Sequence, residues 1–335
     1  MIALNSKERF LAVIAGLKAD KPPVFPLLMG FSAKRYGITY REYASNGHSL
    51  AESQLKIREM FPVDAITACS DAFRISGDLG GDIIFPENKP PYISKPLITS
   101  RSDFAHLKRP NISGNVGRMA DRIQAVDEMV KAVGENCMVL GWIDLPFAEA
   151  CSLCGVSNFM YMMFDEPELA HKILEFLTEI VTEFALLQLE TGAPMIGAGN
   201  AAASLISVEQ YREFALPYDK RICESIHKEG GLVKLHICGD TKRLVDDMIT
   251  SGCDLFNVDH MVDFEFAAKM YHGARKAFKG NLNPVSDILY STPEGCQDIA
   301  RNCIQKAKGY PYMLSAGCEI PTEVDDEVFM AFCNA

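Results

Sequence analysis

The sequence lacks the features expected of a membrane or nucleic-acid protein. No stretch approaches the roughly 18 uninterrupted apolar residues of a membrane-spanning helix. The 44 acidic residues outnumber the 33 Lys and Arg residues, which are scattered and leave a net charge of −11. This charge opposes binding to a phosphate backbone. We therefore expect neither a membrane nor a nucleic-acid partner.

An export signal is also missing, because residues 1–9 contain no basic region followed by a long apolar core. We therefore expect a cytoplasmic protein. In that compartment the 11 cysteines stay mostly reduced, so their number indicates burial, redox chemistry or metal binding rather than disulfides. No self-similar repeat or low-complexity linker interrupts the chain, and we treat residues 1–335 as a single domain.

Short apolar segments alternate with helical patterns along the chain. The segments of strand length are 24–29, 63–69, 138–143, 195–199, 232–238, 254–259, 276–280 and 312–316. This alternation predicts an α/β fold, a parallel (β/α)8 TIM barrel preceded by a helix from Ser6 to about Leu17. Helices are expected at 40–60, 115–133, 166–191 and 207–227, and others start near Pro146, Asp240 and Thr292. Glycines and prolines break the alternation at 77–110, where we expect an insertion containing a hairpin.

One predicted strand ends in residues suited to metal binding. His236 and Cys238 are two residues apart, so they point to the same side of an extended strand. Cys318 follows the other short apolar strand that runs directly into a cysteine beside a glycine. One nitrogen and two sulfurs favour zinc, and three protein ligands leave a fourth position open. The alternative is a buried core histidine beside ordinary buried cysteines.

Several polar residues follow other predicted strands. Asp259 and Asn281 stand at carboxyl ends of strands, the face on which barrel enzymes place their active sites. Asp71 also follows a strand, although capping of the next segment is the favoured explanation for it. Cys151 and Cys154 form the only C-x-x-C of the chain, and their apolar neighbours favour buried thiols.

Several segments together resemble the uroporphyrinogen decarboxylase superfamily. They are L-H-I-C-G-D at 235–240, G-N-L-N-P at 280–284 and S-A-G-C-E-I-P at 315–321, with 205–207 and 217–218 upstream. More narrowly, they resemble its zinc-dependent corrinoid methyltransferase branch, which includes methylcobamide:coenzyme M methyltransferases and the methyltransferase components of bacterial O-demethylases. The resemblance covers nearly the whole chain and implies that His236, Cys238 and Cys318 bind Zn²⁺.

The decarboxylases of the superfamily use no metal and hold substrate carboxylates with an arginine-rich N-terminal loop. Here that loop, 29–36, keeps Arg35 but lacks the M-R-Q-A-G-R pattern. The resemblance therefore favours a zinc-dependent methyltransferase that moves a methyl group between a corrinoid protein and a small molecule. That molecule is either a thiol or a methylated substrate such as a methyl ether or methylamine.

The resemblance also suggests roles for residues around the metal. Asp259 and Glu319 are candidate catalytic carboxylates, either beside the metal or as its fourth ligand, with structural capping as the alternative. Asn200, where many relatives are expected to carry aspartate, and Asn281 are candidate cofactor-binding residues. The corrinoid (cobalamin) is expected on a partner protein, because none of the seven histidines lies in a D-x-H-x-x-G pattern. A homodimer is compatible with the sequence.

Two other functions stay open. One is a metal-free decarboxylase acting on a tetrapyrrole or a related acid. The other is a non-catalytic protein that keeps zinc as part of its fold or binds a small ligand for a partner. Metal content separates the methyltransferase from the decarboxylase, and turnover with a methylated corrinoid separates it from the non-catalytic protein.

Overall fold

A computed structural model describes residues 4–114 and 116–335 of the chain. Its strands are β1 (Ala65–Thr67), β2 (Ile83–Ile84), β3 (Tyr92–Ile93), β4 (Met138–Asp144), β5 (Met195–Gly199), β6 (Leu232–His236), β7 (Leu255–Asn257), β8 (Ala277–Leu282) and β9 (Tyr312–Ala316). Seven of them form one parallel sheet in the order β1-β4-β5-β6-β7-β8-β9, and β2 pairs with β3 as an antiparallel hairpin. The curled parallel sheet surrounded by helices confirms the predicted TIM-barrel fold, and the hairpin lies within the predicted insertion.

The segment 24–28 closes the barrel without forming a regular strand. Val24 and Leu27 make isolated parallel bridges to the β9 edge of the sheet. On the other side, the Asp64 N–H donates to the Val24 carbonyl at 2.8 Å, so the segment lies between β9 and β1. Pro26 has no N–H group to donate and interrupts the ladder. The predicted regular strand at 24–29 is therefore wrong in its detail, although its place in the barrel is right.

The helices occupy the connections between strands and both ends of the chain. They are α1 (Ser6–Ile14), α2 (Gly30–Tyr36), α3 (Tyr40–Ser45), α4 (Gly47–Met60), α5 (Arg74–Asp78), α6 (Arg101–His106), α7 (Arg118–Val133), α8 (Pro146–Cys154), α9 (Val156–Asp165), α10 (Pro167–Glu190), α11 (Val208–Phe214), α12 (Leu216–Lys228), α13 (Val245–Ile249), α14 (Phe264–Gly273), α15 (Pro293–Lys306) and α16 (Asp326–Cys333). Within residues 4–114 and 116–335, no helix combines the length and apolar character needed to cross a bilayer.

Two helices predicted as continuous are divided. The helix expected over 40–60 breaks at Asn46, whose side chain accepts a hydrogen bond from the Ser49 N–H and caps α4. The helix expected over 207–227 breaks at Ala215, because Pro217 in the first turn of α12 supplies no N–H to continue α11.

Other helix boundaries also shift. The cap of α1 is Asn5, in a capping box with Glu8, rather than Ser6, and the helix ends at Ile14 instead of near Leu17. The helix expected from Asp240 is delayed, since a 3-10 turn precedes α13. The predicted start at Asn115 lies outside the described residues, and α7 begins at Arg118.

The barrel interior has an apolar floor and a charged upper half. The floor is a buried cluster that includes Phe10 and Val13 of α1 together with side chains from the strands around it, such as Met138 and Leu255. The Phe10 and Phe25 rings pack edge to face at 5.4 Å between centroids. The helix α1 therefore closes the amino-terminal end of the barrel, and polar chemistry is left to the carboxyl face.

Candidate metal centre

Three side chains from two distant segments meet at the carboxyl face of the barrel. His236 is the last residue of β6, Cys238 follows it, and Cys318 lies just beyond β9. Their ligand atoms all lie within 4.8 Å of one another. Within the described residues they are the only group of three or more His, Cys, Asp or Glu side chains that could hold a metal ion.

The spacing of these donors suits a tetrahedral zinc ion. The Cys238 and Cys318 sulfurs are 3.9 Å apart, close to the roughly 3.8 Å between two thiolates on one zinc. The His236 Nε2 lies 3.1 Å from the Cys238 sulfur, about half an ångström closer than in a zinc site. A small side-chain rotation would be needed to open that distance when a metal binds. The three groups would leave one of the four coordination positions for a substrate.

Two glycines allow the ligand segments to approach each other. Gly239 has a φ of 87°, a left-handed conformation that turns the chain directly after Cys238. A Cβ on Gly317 would stand 2.4 Å from the backbone nitrogen of His260. The segment before Cys318 can therefore lie against the end of β7 only because residue 317 has no side chain. Each motif therefore needs glycine at its position, because a side chain would strain the backbone at residue 239 or clash with the end of β7 at residue 317.

Asn257, at the end of β7, connects the two ligand segments. Its Nδ2 donates to the carbonyl of Gly317 at 3.0 Å, next to Cys318. Its own backbone carbonyl faces the His236 Nδ1 at 3.4 Å, which leaves Nε2 to face the sulfurs. Asn257 is buried, and its Oδ1 has no partner among residues 4–114 and 116–335. Sequence reasoning missed this residue, because its contacts span 60 positions along the chain.

The pKa values of the two thiols shift in opposite directions. Hydrogen bonds from Cys238 and His236 lower the pKa of the Cys318 thiol well below its usual value, against the effect of burial. The hydrogen bond with Cys318, together with burial, raises the pKa of Cys238. Cys318 is therefore the more acidic of the two thiols. A bound divalent cation would displace the protons of both and hold both sulfurs as thiolates.

Asp259 supports the loop that carries Cys238. Its Oδ2 accepts a hydrogen bond from the Gly239 N–H at 3.0 Å, and its Oδ1 accepts one from the Met261 N–H at 3.0 Å. The same Oδ1 lies 3.0 Å from the His260 Nδ1. Both carboxylate oxygens of Asp259 are therefore engaged beside the ligand triad.

The two asparagines named as candidates are also held by protein groups. Asn281 Nδ2 donates to the Val262 carbonyl at 2.6 Å, which supports the loop after β7. Asn200 is fully buried, and its Nδ2 donates to Asp219 at 3.1 Å. Its backbone N–H donates to the His236 carbonyl at 2.9 Å. Asn200 therefore supports the end of β6, while Asn281 supports the loop that follows β7.

Glu319 lies beside Cys318 and faces the loop before α2. Its Oε1 accepts a hydrogen bond from the Gly30 N–H at 2.9 Å. Burial raises the pKa of Glu319 to about 7, and the negative charge of Cys318 acts in the same direction. Glu319, one of the two carboxyls proposed from the sequence as catalytic, is therefore a partly buried group whose charge changes near neutral pH.

Two lysines lie inside the barrel below the ligands. Lys234 precedes His236 by two positions on β6 and stacks its Nζ 4.5 Å from the Trp142 ring centre. Burial lowers the pKa of Lys234 to about 8. Lys279 donates to the Phe25 carbonyl at 2.6 Å, and burial lowers its pKa well below the usual value. These residues were not singled out from the sequence, since a lysine in a strand normally faces solvent.

The residues that would suit a decarboxylase are engaged elsewhere. The Arg35 guanidinium stacks 3.6 Å from the Phe31 ring centre, and its Nε pairs with Asp326 at 2.8 Å. Asp71 is clamped by both terminal nitrogens of Arg118, each at 2.8 Å. This ion pair holds the pKa of Asp71 well below its usual range against the effect of burial. Asp71 is not the N-cap residue of α5, which is Phe73, but its Oδ1 accepts a hydrogen bond from the Phe73 N–H at 2.9 Å and so supports the start of that segment.

The C-x-x-C pair behaves as ordinary buried thiols. Cys151 and Cys154 both lie on α8 and are almost inaccessible to solvent. Burial raises the pKa of Cys154 to about 12 and moves that of Cys151 in the same direction. Neither belongs to the metal-ligand group found among the described residues.

Fold and site together define a TIM-barrel protein in which one histidine and two cysteines that could hold a metal ion meet at the carboxyl face. A family model described as uroporphyrinogen decarboxylase (URO-D) matches residues 5–335. The chain therefore belongs to the uroporphyrinogen decarboxylase family, and the resemblance seen in the sequence motifs is confirmed at that level.

Two named relatives show how similar this chain is to other proteins of the family. The chain is 26% identical to a uroporphyrinogen decarboxylase of Hydrogenovibrio crunogenus over 98% of this chain and 96% of that protein. It is 28% identical to a uroporphyrinogen decarboxylase of Chlorobium phaeobacteroides over 76% of this chain and 73% of that protein.

Two solved structures share the fold. A methyltransferase from Methanosarcina mazei superposes with a TM-score of 0.89 at 21% identity, covering 99% of this chain and 98% of that one. A B12-independent methionine synthase from Shewanella sp. W3-18-1 superposes with a TM-score of 0.58 at 13% identity, covering 94% of each chain. At these identities the likeness concerns the fold.

Proposed function

We propose that this protein is a zinc-dependent methyltransferase that moves a methyl group between a corrinoid carried by a partner protein and a small thiol or methylated substrate. The observation that carries the proposal is the convergence of His236, Cys238 and Cys318, with a sulfur-sulfur distance of 3.9 Å. The superposition with a methyltransferase over 99% of the chain supports the same conclusion.

The chain supplies the framework for this chemistry. His236 would bind zinc through Nε2, while its Nδ1 faces the Asn257 carbonyl. Zinc would supply a Lewis acid that keeps a bound thiol deprotonated near neutral pH or polarises the oxygen of a methyl ether. The Asp259 carboxylate keeps the Cys238 loop in place through the Gly239 N–H. The apolar floor below the site keeps water out of the lower barrel.

The mouth of the barrel has a surface suited to a protein partner. Leu205, Met261 and Tyr290 follow β5, β7 and β8, and their side chains are 64%, 60% and 80% exposed. Exposed apolar side chains around a site commonly mark an interface. A corrinoid protein docking there would bring its cofactor over the zinc ligands, and we propose this face as its docking surface.

The decarboxylase named in the relatives remains the second candidate. Against it, Arg35 and Asp71 are committed to ion pairs within the chain, so neither offers a free charge to a substrate carboxylate or pyrrole. The metal-ligand triad also has no role in a metal-free reaction. These contacts support the methyltransferase over the decarboxylase.

Zinc content tests the proposal most directly. Elemental analysis of the wild type purified without added metal should find about one zinc per chain, and Cys318→Ala should lose it. Cys303→Ala is the matched control, because Cys303 is a partly buried thiol on α15 outside the triad. A wild type without zinc would refute the proposal and favour the decarboxylase.

Methyl transfer is the second test. The zinc-loaded protein should transfer methyl groups with a methylated corrinoid and thiols, or with reduced corrinoid and methyl ethers or methylamines. Zinc without transfer under any of these conditions would indicate a non-catalytic protein that keeps zinc as part of its fold.

A further inference from the structure

A buried cluster of acids lies beside the metal centre and has no role in holding the ligands. Asp144 ends β4, and its Oδ2 accepts a hydrogen bond from Arg74, which is fully buried. Glu149 on α8 is also fully buried, and neither of its carboxylate oxygens has a hydrogen-bond partner within the described part of the chain. An unpartnered buried carboxyl is costly unless it is protonated.

The charges in this cluster do not balance. Three acids (Asp71, Asp144 and Glu149) face two cations, Arg74 and Arg118. Arg118 is committed to Asp71 through two hydrogen bonds of 2.8 Å. Arg74 alone therefore remains for Asp144 and Glu149, and its ion pair is with Asp144. Glu149 consequently keeps a proton, and Asp144 is the member of the pair that can exchange one.

Burial and the neighbouring charges set the pKa values of this pair. Burial raises the pKa of Asp144 to about 6, although the positive charge of Arg74 opposes it. Burial also raises the pKa of Glu149 well above its usual value. The charged or titratable groups that face Asp144 from the surrounding elements are Arg74, Asp71, Glu149 and Cys69. A carboxyl with a pKa close to that of Asp144 can gain or lose its proton near neutral pH at little cost in free energy.

The second carboxylate oxygen of Asp144, Oδ1, lies over β5, the strand between Asp144 and His236. Asp144 pairs in register with Gly199, and Gly199 pairs in register with His236. A Cβ on Gly199 would stand 2.6 Å from the Asp144 Oδ1, so this oxygen occupies the space over β5 on the way to β6. Two strand spacings separate the Cα atoms of Asp144 and His236 by about 9.6 Å. Two inward side chains and a small substrate can fill that distance.

We propose that Asp144 is the proton acceptor for a thiol substrate, an inference that rests on the proposed methyltransferase function. When the thiol binds, its S–H bond breaks, the sulfur keeps the bonding electron pair, and the proton goes to the Asp144 Oδ1. Arg74 holds the carboxylate in position, and Glu149 stays neutral beside it. A small thiol is accordingly the methyl acceptor that the site is built to activate. In the reverse direction, Asp144 returns the proton.

Proton release on thiol binding tests this assignment without requiring turnover. The zinc-loaded protein is titrated with 2-mercaptoethanol in weak buffer, and the protons that reach the buffer are counted with a pH indicator. The negative charge of the bound thiolate should raise the pKa of Asp144, so that the proton stays on this residue in the complex. In the wild type the count should therefore fall from about 0.8 proton per bound thiol at pH 5.5, where most Asp144 is already protonated, to near zero at pH 7.5, where Asp144 is free to take the proton. A count near one over this whole range would overturn the proposal.

Variants separate Asp144 from its neighbours. Asp144→Asn should release about one proton per thiol at pH 7.5, while Glu149→Gln, a neutral replacement for a neutral acid, should behave as the wild type. If Glu319→Gln rather than Asp144→Asn raises the count, Glu319 is the acceptor and the proposal is wrong. If Asp144→Asn does not fold, Glu319→Gln decides the matter, because a count that still falls with pH in this variant supports Asp144 and a count near one throughout overturns the proposal.

The outcomes also separate this inference from the proposed function. Absence of zinc in the wild type refutes the methyltransferase itself. A zinc-loaded protein that binds no thiol, or that releases a full proton at pH 7.5, refutes only the role of Asp144.

Discussion

Asn257 offers a way to test how the ligand segments are held together. Replacing it by leucine keeps a side chain of similar size but removes the Nδ2 that donates to the Gly317 carbonyl at 3.0 Å. The backbone carbonyl that faces His236 is unchanged by the substitution. The variant should therefore loosen the Cys318 segment relative to His236 while β7 stays in place.

The expected magnitude follows from the lost contact. Leaving one buried carbonyl unpaired costs about 1–3 kcal/mol. Removal of groups that orient metal ligands typically weakens metal binding about 10–100-fold, equivalent to about 1.4–2.7 kcal/mol. The two estimates agree, so we expect Asn257→Leu to raise the zinc Kd by one to two orders of magnitude. Loss of the unpartnered Oδ1 should offset part of the cost to global stability.

Competition with a chromophoric zinc chelator measures the effect. Asn283→Ala is the matched control, because Asn283 stands at the same face and its side chain caps the turn after β8 through the Val285 and Ser286 N–H groups. That variant should bind zinc as the wild type does. A Kd for Asn257→Leu within twofold of the wild type, or an equal loss in Asn283→Ala, would refute the reasoning.

Three further predictions concern the frame around the site. Burial raises the pKa of Asp219 to about 8 from 3.8. Its contribution to stability is therefore complete below about pH 4 and is lost as pH rises toward 8. The Tm of Asp219→Asn should consequently exceed that of the wild type by an amount that grows between about pH 5 and 8. Phe10→Ala should lower the free energy of unfolding in urea by about 3–5 kcal/mol, because it empties the barrel floor. Gly197→Ala would place a Cβ 2.4 Å from Trp142 and should shift the fluorescence of this single tryptophan.

Each of these three predictions can be checked against a control variant or a contradicting result. A Tm difference for Asp219→Asn that is constant with pH would mean that this carboxyl does not ionise on unfolding. Leu17→Ala, at a side chain that is 66% exposed, should cost little, and equal losses at both sites would exclude a packed floor. Gly273→Ala has no atom within 4 Å of the new Cβ and should leave the fluorescence unchanged.

Local patterns in the sequence were sufficient for much of the barrel. The strands expected at 195–199 and 312–316 have those bounds in the structure, because both are short buried runs that end at a polar or small residue. The pairing of His236 with Cys238 was predicted from the two-residue repeat of an extended strand, although β6 ends at His236 and Cys238 lies just beyond it. Cys318 could be assigned to the same face because parallel strands of a barrel all end there.

Only the tertiary structure shows which polar groups support the site and which are already paired with other groups of the chain. Arg74 and Asp144 are 70 positions apart, and Asp71 and Arg118 are 47 apart. No local period indicates such pairs. They depend on the register between neighbouring strands and on how each helix returns across the sheet. Burial then sets their charges, because a carboxyl removed from water ionises only where a cation lies within reach. The sequence by itself thus determined the strands and the ligand types, whereas barrel closure determined the partner of each charged group.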